Sequence, residues 1–122
     1  VSNFSAAQVK AAKDLASAPI VNNQVELHVG HFDAEFLAHT QQQGASVTAH
    51  RPLAKGELAT SRTLEKIGTR HGKSAAQVAL RWLVQKEVIA IPKASSESHL
   101  RANLEIFDWA LDGDEMNRLD RD

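Results

Sequence analysis

Six histidines, with no cysteine and no tyrosine among 122 residues, set the chemistry open to this chain. Without thiols or phenols, the side chains that can bind a metal or move a proton near neutral pH are imidazoles and carboxylates. Gln24, Glu26 and His28 stand two apart in IVNNQVELH, so on a strand they share one face. His31 follows three residues later with Asp33 beyond it, and His50 ends a second extended run. A thiol-free imidazole set suits Zn²⁺ or another borderline divalent ion. Three protein ligands and one open position would make a bound hydroxide near neutral pH, which is hydrolytic chemistry. Arg51, Lys55 and Lys93 offer positive charge, and a helix capped by Ser96 offers backbone N–H groups to an anion. Together these point to a small anionic ester as substrate, a phosphoester or another activated ester.

The other histidines have plainer readings. His39 falls on a solvated helix face, and His71 ends a helix where an imidazolium meets the negative end of the dipole. His99 stands in the first turn of its helix, exposed. No HExxH spacing is present, and Ser2, Ser61 and Ser95 have no His–Asp partner visible in the sequence. Trp82 and Trp109 read as packing residues.

The elements that must position these groups alternate between two kinds. Val1–Phe4 is an extended stub, and Ser5 then opens a capping box with Gln8. A helix over about Ala6–Ser17 follows, with Val9, Ala12 and Leu15 as its buried residues, and Pro19 ends it. Ile20–His28 alternates like a strand. Asp33 caps a helix to about Gln43, with Phe36 and Leu37 inward and Gly44 as its left-handed C′ residue. Ala45–Ala49 is a second strand, closed by Pro52. Thr63–His71 is a helix stopped by Gly72, and Ser74 caps the next, Ala75–Gln85, with an apolar face of Val78, Leu80, Trp82 and Leu83. Val88–Ile91 is a third strand, Ser96 caps a helix to about Ile106, and Asp112 caps a short last one. Strands alternating with helices imply a parallel sheet with right-handed crossovers. No linker or low-complexity segment divides the chain, so residues 1–122 read as one domain.

Composition excludes several classes. Hydrophobic residues at 43% and charged residues at 24% fit an ordinary globular domain, not a disordered tail, collagen or a coiled coil. A formal net charge of -1 gives no general electrostatic argument for nucleic acid or a membrane surface. No apolar run approaches the roughly 18 residues of a membrane span. With no signal-peptide pattern and no cysteine, a cytoplasmic location is the expectation.

The motifs VSNFS, VNNQVELH, VTAHRPLAKG, HGKSAAQVALRWL and VIAIPK followed by LRANLEIFDWAL, taken together and in register, resemble the aldo-keto reductases. The resemblance implies a TIM-type barrel and NADPH-dependent carbonyl reduction. It covers the C-terminal half of such a barrel, so the expected fold is α/β, half of a (β/α)8 barrel. The family's Asp, Tyr, Lys and His set lies on earlier strands, outside the span of the likeness. The resemblance carries over Ser2, Asn3 and Gln24 as holders of the nicotinamide carboxamide. Lys93 matches the lysine near the 2′-phosphate, and Asn103 an adenine-side asparagine. The chain departs from the family at His50, where an aromatic stacks under the nicotinamide, and at Ala94, where a small polar residue is usual. His99 replaces a phosphate-binding Arg, with Arg101 two residues on, and Val29-Gly30 replaces a Pro-Tyr.

The resemblance also places Gln24, and by parity Glu26 and His28, in the barrel mouth, with His50 beside them at a C-terminal strand end. Strands about 4.8 Å apart would let His28, His50 and His31 share one ion. This favours a metal-dependent hydrolase, with those three as ligands to Zn²⁺ and Glu26 as the general-base or supporting carboxylate. The alternatives are an NADP(H)-binding fragment of an aldo-keto reductase, not catalytic alone, and an inactive folded fragment. Three strands and a stub leave both sheet edges open and one face bare, with Val47, Ala49, Ile89 and Ile91 taken as inward. The expected remedy is an obligate homodimer or higher homo-oligomer, with two copies approximating an eight-stranded ring.

Overall fold

Short-range capping chemistry decides where each helix begins. In the computed structural model, which describes Val1–Asp122, helix α1 (Ala6–Leu15) starts at Ser5, whose hydroxyl accepts from Gln8 N while the Gln8 side chain accepts from Ser5 N. The same reciprocal box opens α4 (Ala75–Gln85) through Ser74 and Gln77, and α6 (Gly113–Asp120) through Asp112 and Glu115. Single caps from Asp33, Ser61 and Ser96 open α2 (Ala34–Gln42), α3 (Arg62–His71) and α5 (Glu97–Leu104). Gly72 ends α3 at φ 64°, a left-handed conformation that costs glycine little.

Three strands, β1 (Asn22–Glu26), β2 (Ser46–His50) and β3 (Val88–Ala90), form a parallel sheet in the order β1-β2-β3. Asn22 lies beside Ser46, Glu26 beside His50 and Val47 beside Val88. The N-terminal stub adds a fourth strand position outside β1, by a parallel bridge between Ser2 and Gln24. Asn23, fully buried, fixes it there: its side chain donates to Phe4 O at 2.8 Å and accepts from Phe4 N at 3.3 Å. Element order and connections are those of half a TIM-type barrel, as expected. Two short 3₁₀ turns over Ala54–Thr60, broken at Lys55 and Gly56, are an addition that the sequence reading did not contain.

The core lies between the sheet and the helices. Val25, Leu27, Val47, Ala49 and Val88 meet Leu64, Ile67, Val78, Trp82, Leu83 and Leu119. Trp82 packs edge-on to Phe32 and donates to Asp120 at 2.8 Å, while Trp109 is half-buried against His71, so both tryptophans are packing residues. Three residue assignments change. Val47 and Ala49 are fully buried beneath the helices and do not face the barrel interior; Ser46, Thr48 and His50 share the other face with Ile89. Leu15 is 88% exposed, because at 100° per residue it sits about 120° round the helix from the buried Val9. No helix is long and apolar enough to cross a membrane.

Candidate functional site

The C-terminal ends of the strands form one mouth, and the backbone there is unusual. Asn3 (φ 57°), Arg51 (53°), Ala54 (47°) and Lys55 (56°) all take left-handed conformations without being glycine; Asn3 follows the bridged Ser2, Arg51 follows β2 directly, and Ala54 and Lys55 lie in the turn after it. Each such residue costs about 1–3 kcal/mol, and positions of this kind cluster at functional sites.

On the inner face of β1, Asn22, Gln24 and Glu26 alternate with the buried Asn23 and Val25. The stub lies against them: Asn3 N donates to Gln24 O at 2.8 Å and Ser2 Oγ donates to the same oxygen at 3.1 Å. Ser2, Asn3 and Gln24 are therefore immediate neighbours. His50, at the end of β2, joins them by placing Nε2 3.4 Å from Asn3 Oδ1. Beside this group Glu26 accepts from His28 Nε2 at 3.3 Å and from Arg51 at 3.2 Å. The hydrogen bond from His28, with the Arg51 charge behind it, holds the Glu26 carboxyl below the usual carboxylate range.

Across the mouth, Arg51, Lys55 and Lys93 line a cleft of about 510 Å³ with Pro52, Leu53, Gly56, Ile91 and Pro92. No carboxylate lines it, and neither Lys55 nor Lys93 takes part in an ion pair. Pro92 is also a wall of a second, apolar groove of about 540 Å³, onto which Asn103 opens beside Leu100 and Leu104. Asn103 thus lies on the far side of the β3 end from the cationic cleft. His99 is exposed on α5, and Arg101 is paired with Glu97 at 2.8 Å.

The three histidines assigned to a metal do not converge. His28 and His31 pair backbone to backbone across a tight turn in which Gly30 takes φ 86°. The two rings stand 5.5 Å apart. His28 Nδ1 donates to Val29 O at 2.8 Å and its Nε2 faces Glu26, so both ring nitrogens are turned toward acceptors and neither directs a lone pair at a shared ion. His31 lines a hollow with Asn3, Glu26 and three phenylalanines that neither His28 nor His50 lines, and His50 is turned to Asn3. No group of three or more His, Asp or Glu is placed to hold a metal ion.

The aldo/keto reductase family model matches residues 1–121. The chain belongs to the aldo/keto reductase family. Glyoxal reductase of Bacillus subtilis is 37% identical over 121 residues, covering 98% of this chain and 44% of that protein. Aldo-keto reductase family 1 member A1 of Rattus norvegicus is 35% identical over 130 residues, covering 98% and 40%. Among solved structures, the aldose reductase from Schistosoma japonicum superposes with a TM-score of 0.91 at 32% identity, covering 98% of this chain and 39% of that one. A Bombyx mori aldo-keto reductase in complex with NADP gives 0.90 at 27%, covering 99% and 43%. The chain spans about two fifths of the length of these relatives.

Family membership and the divergent histidines overturn the hydrolase reading. An oxidoreductase family replaces the phosphoesterase, and the Zn²⁺ centre of His28, His31 and His50 falls with it, as does a general-base role for Glu26 in that reaction. What the residue reading missed was the strained Arg51–Gly56 turn. Its signal in the sequence was RPLAKG, where Pro52 directly follows Arg51 and Gly56 directly follows Lys55.

Proposed function

We propose that this chain is the cofactor-holding half of an NADP(H)-dependent carbonyl reductase. The observation that carries the reading is the division of the mouth into an amide-rich side and a cationic side. Ser2, Asn3 and Gln24 supply donors and acceptors suited to a carboxamide. Arg51, Lys55 and Lys93 supply positive charge, with no acid in the cleft, for the phosphates. Asn103, beyond Pro92, is assigned to the adenine end. The donor set therefore fits a nicotinamide dinucleotide phosphate better than a cation. When bound, that cofactor supplies the hydride. The chain's own residues bind and orient it, and with no Tyr here the proton donor of carbonyl reduction belongs to a complementary barrel half.

Calorimetric titration of the purified chain with NADPH and with NADH tests this. Saturable binding is expected, tighter for NADPH, and Lys93→Glu should weaken NADPH at least about tenfold, as loss of a charge-assisted hydrogen bond does. Absence of heat at millimolar cofactor would remove the reading.

A further inference from the structure

His50 alone among the histidines hydrogen-bonds a side chain assigned to the cofactor. It ends β2 in register with Glu26. Both oxygens of that carboxylate are taken, Oε1 by His28 and Oε2 by Arg51, so the acid nearest in register is closed to it. The ring instead reaches across β1 to the stub in a long hydrogen bond, with Nε2 3.4 Å from Asn3 Oδ1. An amide oxygen only accepts, so Nε2 carries the proton and donates.

Asn3 is otherwise held by its backbone. Its N donates to Gln24 O at 2.8 Å, and its φ of 57° fixes where the side chain leaves the chain. The amide has two unlike ends, and His50 is what tells them apart: Oδ1 is engaged, while Nδ2 has no partner in the protein. An asparagine free to turn over offers a ligand its donor in one orientation and its acceptor in the other. Ser2 has the opposite bias. Its hydroxyl proton is spent on Gln24 O at 3.1 Å, which leaves the oxygen as an acceptor.

We infer that His50 is a positioning residue: by holding Asn3 Oδ1 it leaves Nδ2 as the end that meets the cofactor, donating to the carboxamide oxygen of the nicotinamide. Ser2 then accepts from the carboxamide NH2 while Asn3 donates to its oxygen, a pair that fits the group one way round. The gain is preorganisation, because the Asn3 amide need not be turned when the cofactor arrives. This rests on the cofactor reading and adds to it what sets the orientation of the nicotinamide.

Calorimetric titrations separate this role from a structural one. His50→Phe keeps a ring at the end of β2 and removes the donor; NADPH affinity should fall about three- to tenfold, the worth of one hydrogen bond. His50→Gln restores an N–H donor and should recover most of that loss. Adenosine 2′,5′-bisphosphate, which carries phosphates and adenine without a nicotinamide, should bind the native chain and both variants alike. In an Asn3→Gly background, where glycine accepts the φ of 57°, His50→Phe should cost nothing further. NADPH affinity unchanged by His50→Phe, equal losses from the two His50 variants, a parallel loss of the bisphosphate, or a further loss in the Asn3→Gly background overturns the role of His50 and leaves the cofactor reading standing. A native chain that binds neither ligand overturns both.

Discussion

The two faces of the sheet are built from alternate residues of the same strands, yet they do opposite work. Beneath the helices, Val25, Val47, Ala49 and Val88 are buried in an apolar core, with Asn23 paired to Phe4 at its edge. On the inner face, Gln24, Glu26, His28 and His50 are half-buried, hydrogen-bond one another or the stub, and adjoin a strained turn. Stability is concentrated on the first face. The second keeps left-handed Asn3, Arg51 and Lys55, whose cost the first must cover.

The largest expected effects come from the helix face. Trp82→Ala removes a fully buried ring, its bond to Asp120 and the surface under Lys86, and should lower stability by about 3–5 kcal/mol in denaturant titration. Next is Gly68→Ala. A Cβ there would lie 2.3 Å from Lys73 O, backbone that cannot swing away, so a loss of about 1–3 kcal/mol is expected. By contrast, Lys55→Glu on the exposed rim should leave stability within about 0.5 kcal/mol while reducing NADPH affinity. An equal loss of stability from the rim and the core variants would break the comparison.

The same contrast explains how much was legible beforehand. Caps are local chemistry, so Ser5, Asp33, Ser74, Ser96 and Asp112 marked their helices from spacing alone. Strand parity correctly grouped Gln24 and Glu26 on one face, and His28, just past the strand, reaches Glu26. Period two does not say which face meets the helices, however, and Val47 and Ala49 were placed on the wrong one. Nor does parity see competing acceptors. The carbonyl of Val29, one residue away, takes His28 Nδ1 and turns the ring from the shared position that spacing suggested. The half-buried pair of His71 with Glu115, 2.9 Å apart, was invisible for a related reason: the partners are 44 residues apart and no local pattern joins them. The bend at Lys55 and Gly56 has no apolar period to announce it.

The smallest expected effect tests whether the inner-face cluster exists in solution. The Glu26 carboxyl is held below its ordinary value of 4.5, first by the hydrogen bond from His28 and then by the Arg51 charge. The unfolded chain therefore binds the proton more readily than the folded one between the two values. Its contribution to stability is fully present above about 4.5 and is lost as pH falls through the lowered folded value. Denaturation midpoints followed from neutral pH into that acid window should fall further for the native chain than for Glu26→Gln, with the two curves parallel above it. Because the carboxylate is partly open to solvent, the gap should shrink as salt is raised. Curves that stay parallel through the acid window would mean that Glu26, His28 and Arg51 do not engage one another, and the mouth would then lack its ion cluster.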